Sequence, residues 1–288
     1  MQKEYFHTYH TLATHYPDGE AQALARWIME IRFGMDRLKL CLGADRPFTE
    51  EERKELDSII SRLLKDEPIQ YILGCTDFCG NTLAIEPGAL IPRPETEELA
   101  DWIISDTSKS NSRILDIGTG SGCIAVTLAG AFPESQVTAI DISSQALAVA
   151  GKNAARTKAN INFVLCDIAD EQAWPQIHPE TPPGTPVWDI IVSNPPYICK
   201  SEAREMQANV LDYEPSTALF VEDDDPLFFY RAIARYARPH LNPNGRLYLE
   251  INRRFGKETV QILKDSGFRE VELRKDFREN DRMIRCQL

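Results

Sequence analysis

At 288 residues with a formal charge of -12, the chain has room for one large domain and a small one, and its acidic balance argues against a sequence-independent grip on nucleic-acid phosphates, favouring protein or small-molecule substrates. The seven cysteines Cys41, Cys75, Cys79, Cys123, Cys166, Cys199 and Cys286 lack metal-ligand spacing, and their odd number suits free thiols in a reducing cytosol. With no charged-then-apolar leader and no apolar run near the ~20 residues of a membrane span, the expectation is a soluble cytoplasmic protein without a membrane partner.

Residues 1–67 read as a small helical bundle. In Glu20 to Phe33, Leu24, Trp27, Ile28 and Ile31 follow the i, i+3, i+4, i+7 template of a core-facing stripe, with Asp18 as cap and Gly34 as stop. A further helix opens at Thr49, where Glu52 completes a capping box, and runs through Leu56, Ile59, Ile60, Leu63 and Leu64 towards Pro68. Set before a catalytic domain, such a bundle suits substrate docking. Residues 68–110 read as a linker. It begins with Pro68 to Gly74, followed by a hairpin of Thr76 to Cys79 and Thr82 to Glu86 around Gly80-Asn81, together a connecting ribbon between two domains. Pro92 and Pro94 then stiffen the backbone on either side of Arg93, ahead of a helix through Leu99, Trp102 and Ile103.

Residues 111–288 read as the main domain. Arg113 to Ile117 is a strand, Gly118-Thr119-Gly120-Ser121-Gly122 a turn whose glycines admit a ligand close to the backbone, and a helix follows through Ile124, Val126 and Leu128. The spacing is neither the dinucleotide G-x-G-x-x-G nor a P-loop, since no Gly-Lys-Ser/Thr follows. The second strand, Gln136 to Ile140, ends at Asp141, about 20 residues after the glycines, where two carboxylate oxygens suit a vicinal ribose diol. A third strand, Ile161 to Leu165, ends in Cys166-Asp167-Ile168; Asp167 can accept from an exocyclic adenine amine while Ile168 packs on the ring. Each acid alone is more often a solvated strand end. Three successive strands ending in polar ligands at the crevice of an α/β sheet are seldom accidental. The proline- and threonine-rich stretch from Trp174 to Val187 reads as a lengthened surface loop with no chemistry of its own.

The fourth strand, through Ile190, Ile191 and Val192, stops at Asn194-Pro195-Pro196-Tyr197. Two prolines leave the Pro195 carbonyl pointing outward beside the Asn194 side-chain amide, with the flat ring of Tyr197 next to both. Together they form a receptor for a planar –NH2 group, whose two N–H donors meet the Asn194 oxygen and the Pro195 carbonyl. By itself the tetrapeptide is first of all a tight strand exit. The ligand-bearing strand ends before it reverse that ranking.

This order of motifs resembles the class I S-adenosylmethionine-dependent methyltransferases that act on –NH2 groups, among them DNA adenine and cytosine amino-methyltransferases, some RNA enzymes and protein-glutamine methyltransferases. The linker narrows the acceptor. Pro68-Ile69-Gln70-Tyr71-Ile72-Leu73-Gly74, the Phe78 hairpin and Leu90-Ile91-Pro92-Arg93-Pro94-Glu95-Thr96-Glu97 resemble the PrmC/HemK family, and the likeness continues through Asp212 to Leu219, Leu249-Glu250-Ile251 and Lys275 to Arg282. That family methylates the glutamine of the Gly-Gly-Gln motif in peptide chain release factors. The resemblance implies an α/β fold with a Rossmann-like seven-stranded sheet, its last strands (Phe268 to Arg274, Arg282 to Gln287) antiparallel. It also implies S-adenosyl-L-methionine as cofactor, leaving as S-adenosyl-L-homocysteine, no metal, and release factors as protein partners; the acidic balance leads to no expectation of a direct nucleic-acid partner, and the sequence is silent on oligomeric state, with a monomer the default.

Within that family reading Asn194 and Pro195 hold the acceptor amide, with Asn194 also beside the cofactor. Tyr197 packs on the amide, Pro196 keeps the turn rigid, and Phe78 and Arg93 border the acceptor channel. Asn252-Arg253-Arg254-Phe255 and Asn280 stand where the family commonly has Gly, which bears on loop geometry and not on the reaction. Two other readings compete. Nucleic-acid amino-methylation is disfavoured by the acidic balance and the absence of a basic target-recognition segment. A cofactor-binding protein that only docks a partner is opposed by the intact Asn194 and glycines.

Overall fold

The computed structural model describes residues 2–35, 47–182 and 184–288; Cys41 lies outside the described residues. The chain divides into two compact units, Met1–Cys75 with Gln207–Tyr213, and Thr76–Met206 with Glu214–Leu288. Residues 68–110, expected as a linker, are therefore shared between the two. Among the described residues no helix is long and apolar enough to cross a membrane.

The first unit contains α1 (Gln2–Leu12), α2 (Asp18–Phe33), α3 (Glu50–Leu63) and α4 (Ile69–Leu73). At the start of α3 the Thr49 hydroxyl accepts from the Glu52 N–H at 3.2 Å and the Glu52 carboxylate accepts from the Thr49 N–H at 2.9 Å, the expected capping box. Helix α2 departs from its predicted pattern. Pro17 occupies the cap position, leaving Asp18 inside the helix, where it accepts from the Tyr9 hydroxyl. The buried face is Ala21, Ala25, Ile28 and Met29; Leu24 and Trp27 are half-buried and Ile31 is exposed. Ile28 of the predicted stripe is thus at the centre of the contact and Leu24 and Trp27 pack at its edge, while small alanines, which let neighbouring helices approach closely, take the rest of the face. Gly34 ends the helix at φ 65° as expected. The connecting stretch to Gly74, to which no secondary structure is assigned from the sequence, is helical: Pro68 stands at its cap and Gly74, at φ 72°, closes it.

In the second unit, β1 (Cys75–Phe78) and β2 (Asn81–Ala84) form the hairpin. Its turn residues are Cys79 and Gly80, at φ 45° and 75°, one position earlier than predicted, because a two-residue turn that matches strand twist needs positive φ at both places. Then come α5 (Pro94–Asp106), β3 (Arg113–Ile117), α6 (Cys123–Ala131), β4 (Gln136–Asp141), α7 (Ser144–Thr157), β5 (Ile161–Leu165) and β6 (Trp188–Ser193). After a two-residue parallel pair, β7 (Ile198–Cys199) and β8 (Phe220–Val221), the chain continues through α8 (Phe228–His240), β9 (Leu241–Glu250), α9 (Gly256–Asp265), β10 (Arg269–Lys275) and β11 (Asp281–Gln287).

The large sheet has seven strands in the order β10-β11-β9-β6-β3-β4-β5, with β11 antiparallel to both neighbours and the other pairs parallel. Alternate residues enter opposite cores: Leu115, Ile117 and Ile191 one, Ile114, Ile190 and Val192 the other. Strand order reverses at β3, with β4 on one side and β6 on the other, which opens a crevice at the carboxyl ends. The Ser193 hydroxyl donates to the Ile117 carbonyl at 2.7 Å and ties the two strand ends together. The expected surface loop after β5 is anchored: the Trp174 indole donates to the Ile168 carbonyl at 2.9 Å, and Ile177, His178 and Val187 are buried.

Candidate active site

Strands β3, β4, β5 and β6 all deliver residues to one cleft of about 440 Å3. Gly118, Thr119, Gly120 and Ser121 form its floor. Gly118, Gly120 and Gly122 have φ of 71°, 57° and 79°. Where a Cβ would stand, the first two face open space, whereas at Gly122 it would meet the Ala150 Cβ at 2.9 Å. Two glycines therefore admit a ligand and the third admits helix α7. The buried Asn153 of that helix donates to the carbonyls of Ser121 and Ala84, both at 2.9 Å, and so holds the hairpin to the glycine turn.

Asp141, at the end of β4, accepts the Gly120 N–H on one oxygen and the Ser143 N–H on the other, each at 2.8 Å. A carboxylate has lone pairs to spare for two further donors, and this one lines the cleft. Burial raises its pKa despite those bonds. Asp116, beneath the turn, is fully buried and its carboxyl is pushed up to about 7, chiefly by desolvation; the Thr119 hydroxyl donates to it at 2.6 Å. Asp167 accepts the Ala169 N–H at 2.8 Å, and both Asp167 and the nearly buried Ile168 line the cleft. So does Ile142, 62% exposed directly after Asp141, which sequence reasoning passed over.

Asn194, Pro195 and Pro196 form the opposite wall. The Asn194 side-chain Nδ2 donates to the Thr96 hydroxyl oxygen at 3.0 Å, and Thr96 donates in turn to Glu250 Oε2 at 2.7 Å. Tyr197 stands behind this wall, not on it: its hydroxyl donates to Glu250 Oε1 at 3.0 Å, and burial beside that carboxylate holds its pKa well above the usual value. Glu250 itself is 1% exposed, and desolvation raises its pKa. Thr96 and Glu250 fall in stretches that carry the family resemblance, but neither was given a role from the sequence; an acid at the end of an apolar strand and a threonine beside Pro-Arg-Pro were the available signals. Asn252, at a position where glycine was expected, is buried and donates to the Tyr197 carbonyl at 2.9 Å, bracing the turn.

Of the two residues expected along an acceptor channel, Arg93 lines the cleft. It is held by the buried Glu214, which accepts from Arg93 at 2.7 Å and from the Ile91 N–H at 3.2 Å. Phe78 does not line it. At 1% exposure it packs with Leu83, Leu99, Trp102 and Ile103 in the core, because the hairpin directs it inward.

The profile of the PrmC N-terminal domain matches residues 7–74, and that of a methyltransferase domain matches residues 108–285. The release factor glutamine methyltransferase of Bacteroides thetaiotaomicron is 44% identical over 93% of this chain and 93% of its own. That of Flavobacterium psychrophilum is 43% identical over 95% of this chain and 94% of its own. Among solved structures, the Thermus thermophilus 16S rRNA N2 G1207 methyltransferase in complex with AdoMet and guanosine aligns with a TM-score of 0.51 at 15% identity, covering 74% of this chain and 49% of that one, a likeness of fold.

Proposed function

The chain belongs to the release factor glutamine methyltransferase family, and from that premise we propose that its cleft moves a methyl group from S-adenosyl-L-methionine to the side-chain amide nitrogen of the Gly-Gly-Gln glutamine in peptide chain release factors, modulating translation termination. The observation that carries this reading is the pairing of the Asn194-Pro195-Pro196 wall with a glycine turn, Asp141 and Asp167 across one cleft. The fold is that of the class I methyltransferases.

The residues present fit the cofactor. Gly118 and Gly120 leave open space beside the backbone, Asp141 keeps lone pairs for a ribose diol, and Asp167 with Ile168 offers an acceptor and an apolar surface for adenine. When bound, it supplies an electrophilic methyl carbon on a sulfonium. Asn194 Oδ1 and the Pro195 carbonyl accept the two N–H groups of the acceptor amide. Those bonds favour a pyramidal nitrogen with a localised lone pair and stabilise charge that grows in the transition state. Orientation supplies the rest of the rate. Pro196 keeps the turn rigid, Tyr197 supports it from behind, and Arg93, fixed by Glu214, borders the acceptor's path. The helical unit, with half-buried Leu24 and Trp27 along α2, serves to dock the release factor.

The test is transfer of labelled methyl from S-adenosyl-L-methionine to a purified release factor, beside a variant whose motif glutamine is replaced. Label on the unsubstituted factor alone supports reaction and acceptor together; label on both moves the acceptor elsewhere.

A further inference from the structure

We propose that Thr96 and Glu250 are positioning residues that lock the Asn194 carboxamide with its oxygen towards the cleft, an inference that rests on the reading of Asn194 as the acceptor-binding group. The argument is a count of protons. A carboxamide has a donor end and an acceptor end of nearly equal size, and a strand exit alone sets no preference between them. Thr96 has one hydroxyl proton. Glu250 in its carboxylate form, which the Thr96 and Tyr197 hydroxyls and the nearby Arg282 charge favour against the cost of burial, accepts from Thr96 on one oxygen and from Tyr197 on the other and so takes that proton. Only lone pairs then remain on the Thr96 oxygen, and they can receive only Nδ2 of Asn194. Oδ1 is left for the cleft.

The reversed amide would point N–H groups at an acceptor that itself brings two N–H donors, and the receptor would be lost. The same chain also polarises the working oxygen, since each bond in a carboxylate-terminated series strengthens the next. Glu250 is separated from Thr96 by 154 positions in sequence, so the end of β9 sets the direction of a side chain at the end of β6.

The experiment measures single-turnover methyl transfer to a release factor, cofactor affinity by calorimetry and thermal midpoint, for Thr96→Val, Thr96→Ser and Asn194→Ala. Thr96→Val keeps the shape and removes the hydroxyl; transfer is expected to slow about tenfold with cofactor affinity within about twofold of the parent. Thr96→Ser, which restores the hydroxyl, is expected to recover most of that rate. A Thr96→Val rate within about twofold of the parent, with Asn194→Ala slow, overturns the relay alone. An Asn194→Ala rate equal to the parent overturns the reading of the site. Should Thr96→Val not fold, hydrogen exchange of the Asn194 side chain by NMR decides the matter in the unaltered protein. One slowly exchanging N–H is expected, and two N–H groups exchanging as fast as a solvated amide overturn the relay.

Discussion

Replacing Asn194 by Ala removes the side-chain acceptor while leaving the glycine turn and Asp141 on the far side of the cleft untouched. Turnover is expected to fall about 10²- to 10³-fold, the range for losing one preorganised polar contact, with cofactor affinity nearly unchanged. Steady-state kinetics beside calorimetry check this, and an equal loss of both would detach Asn194 from the acceptor. Asp141→Ala should do the opposite and weaken the cofactor first. Both residues were legible in the sequence because strand ends that carry ligands announce themselves by type and spacing. Thr96, Glu250 and Glu214 were not, because their roles depend on partners more than 100 positions away. Phe78 misled for a related reason: a hairpin aromatic reads alike whether its strand face turns to a channel or to a core.

The glycine turn separates two roles that one motif hides. Gly122→Ala places a left-handed Cβ against Ala150 at 2.9 Å, so α7 must move. The backbone strain costs about 1–2 kcal/mol and the overpacking about 1–3 kcal/mol more, a loss that thermal or urea unfolding would register. Gly120→Ala meets open space and carries only the strain, yet its methyl group enters the cleft. It should therefore lower cofactor affinity with a smaller loss of stability, and a calorimetric affinity equal to the parent's would remove Gly120 from the ligand's path. A boundary fixed by a reciprocal pair of local hydrogen bonds was read accurately: the Thr49–Glu52 capping box stands where the sequence put it. The face that tertiary packing selects was read less well: in α2 Ile28 is buried as predicted, but Ala21, Ala25 and Met29 join it and Ile31 does not. Thr49→Ala should cost about 1 kcal/mol through loss of the cap, measured as a drop in urea midpoint.

A net charge of -12 says nothing about how folding stability depends on pH, because that depends on which groups are buried without a partner for their charged form. Buried histidines and buried carboxyls pull in opposite directions. His240 donates from Nδ1 to the Tyr236 carbonyl at 2.6 Å and accepts the Gly184 N–H on Nε2 at 3.3 Å, so it is neutral and of one tautomer. His178 lies beside it with ring centroids 5.0 Å apart, and burial lowers the pKa of both. With folded values below the unfolded one, the unfolded chain binds protons first as pH falls below about 6.5; stability present above that pH is lost on acidification. Asp116, like Asp141 and Glu250, whose pKa values burial also raises, has the reverse sign. Its carboxyl, raised to about 7 by burial, holds a proton that the unfolded chain has already released, so its contribution is full below about pH 4 and is lost as pH rises through 7. Between about pH 4 and 6.5 the two slopes oppose each other and flatten the profile of the ligand-free protein. Asp116→Asn should then tilt the profile towards a rise of stability with pH across that window, and His178→Leu should tilt it towards a steeper fall. Urea unfolding at half-unit steps of pH distinguishes them: parallel profiles for parent and both variants would mean that neither group governs the balance.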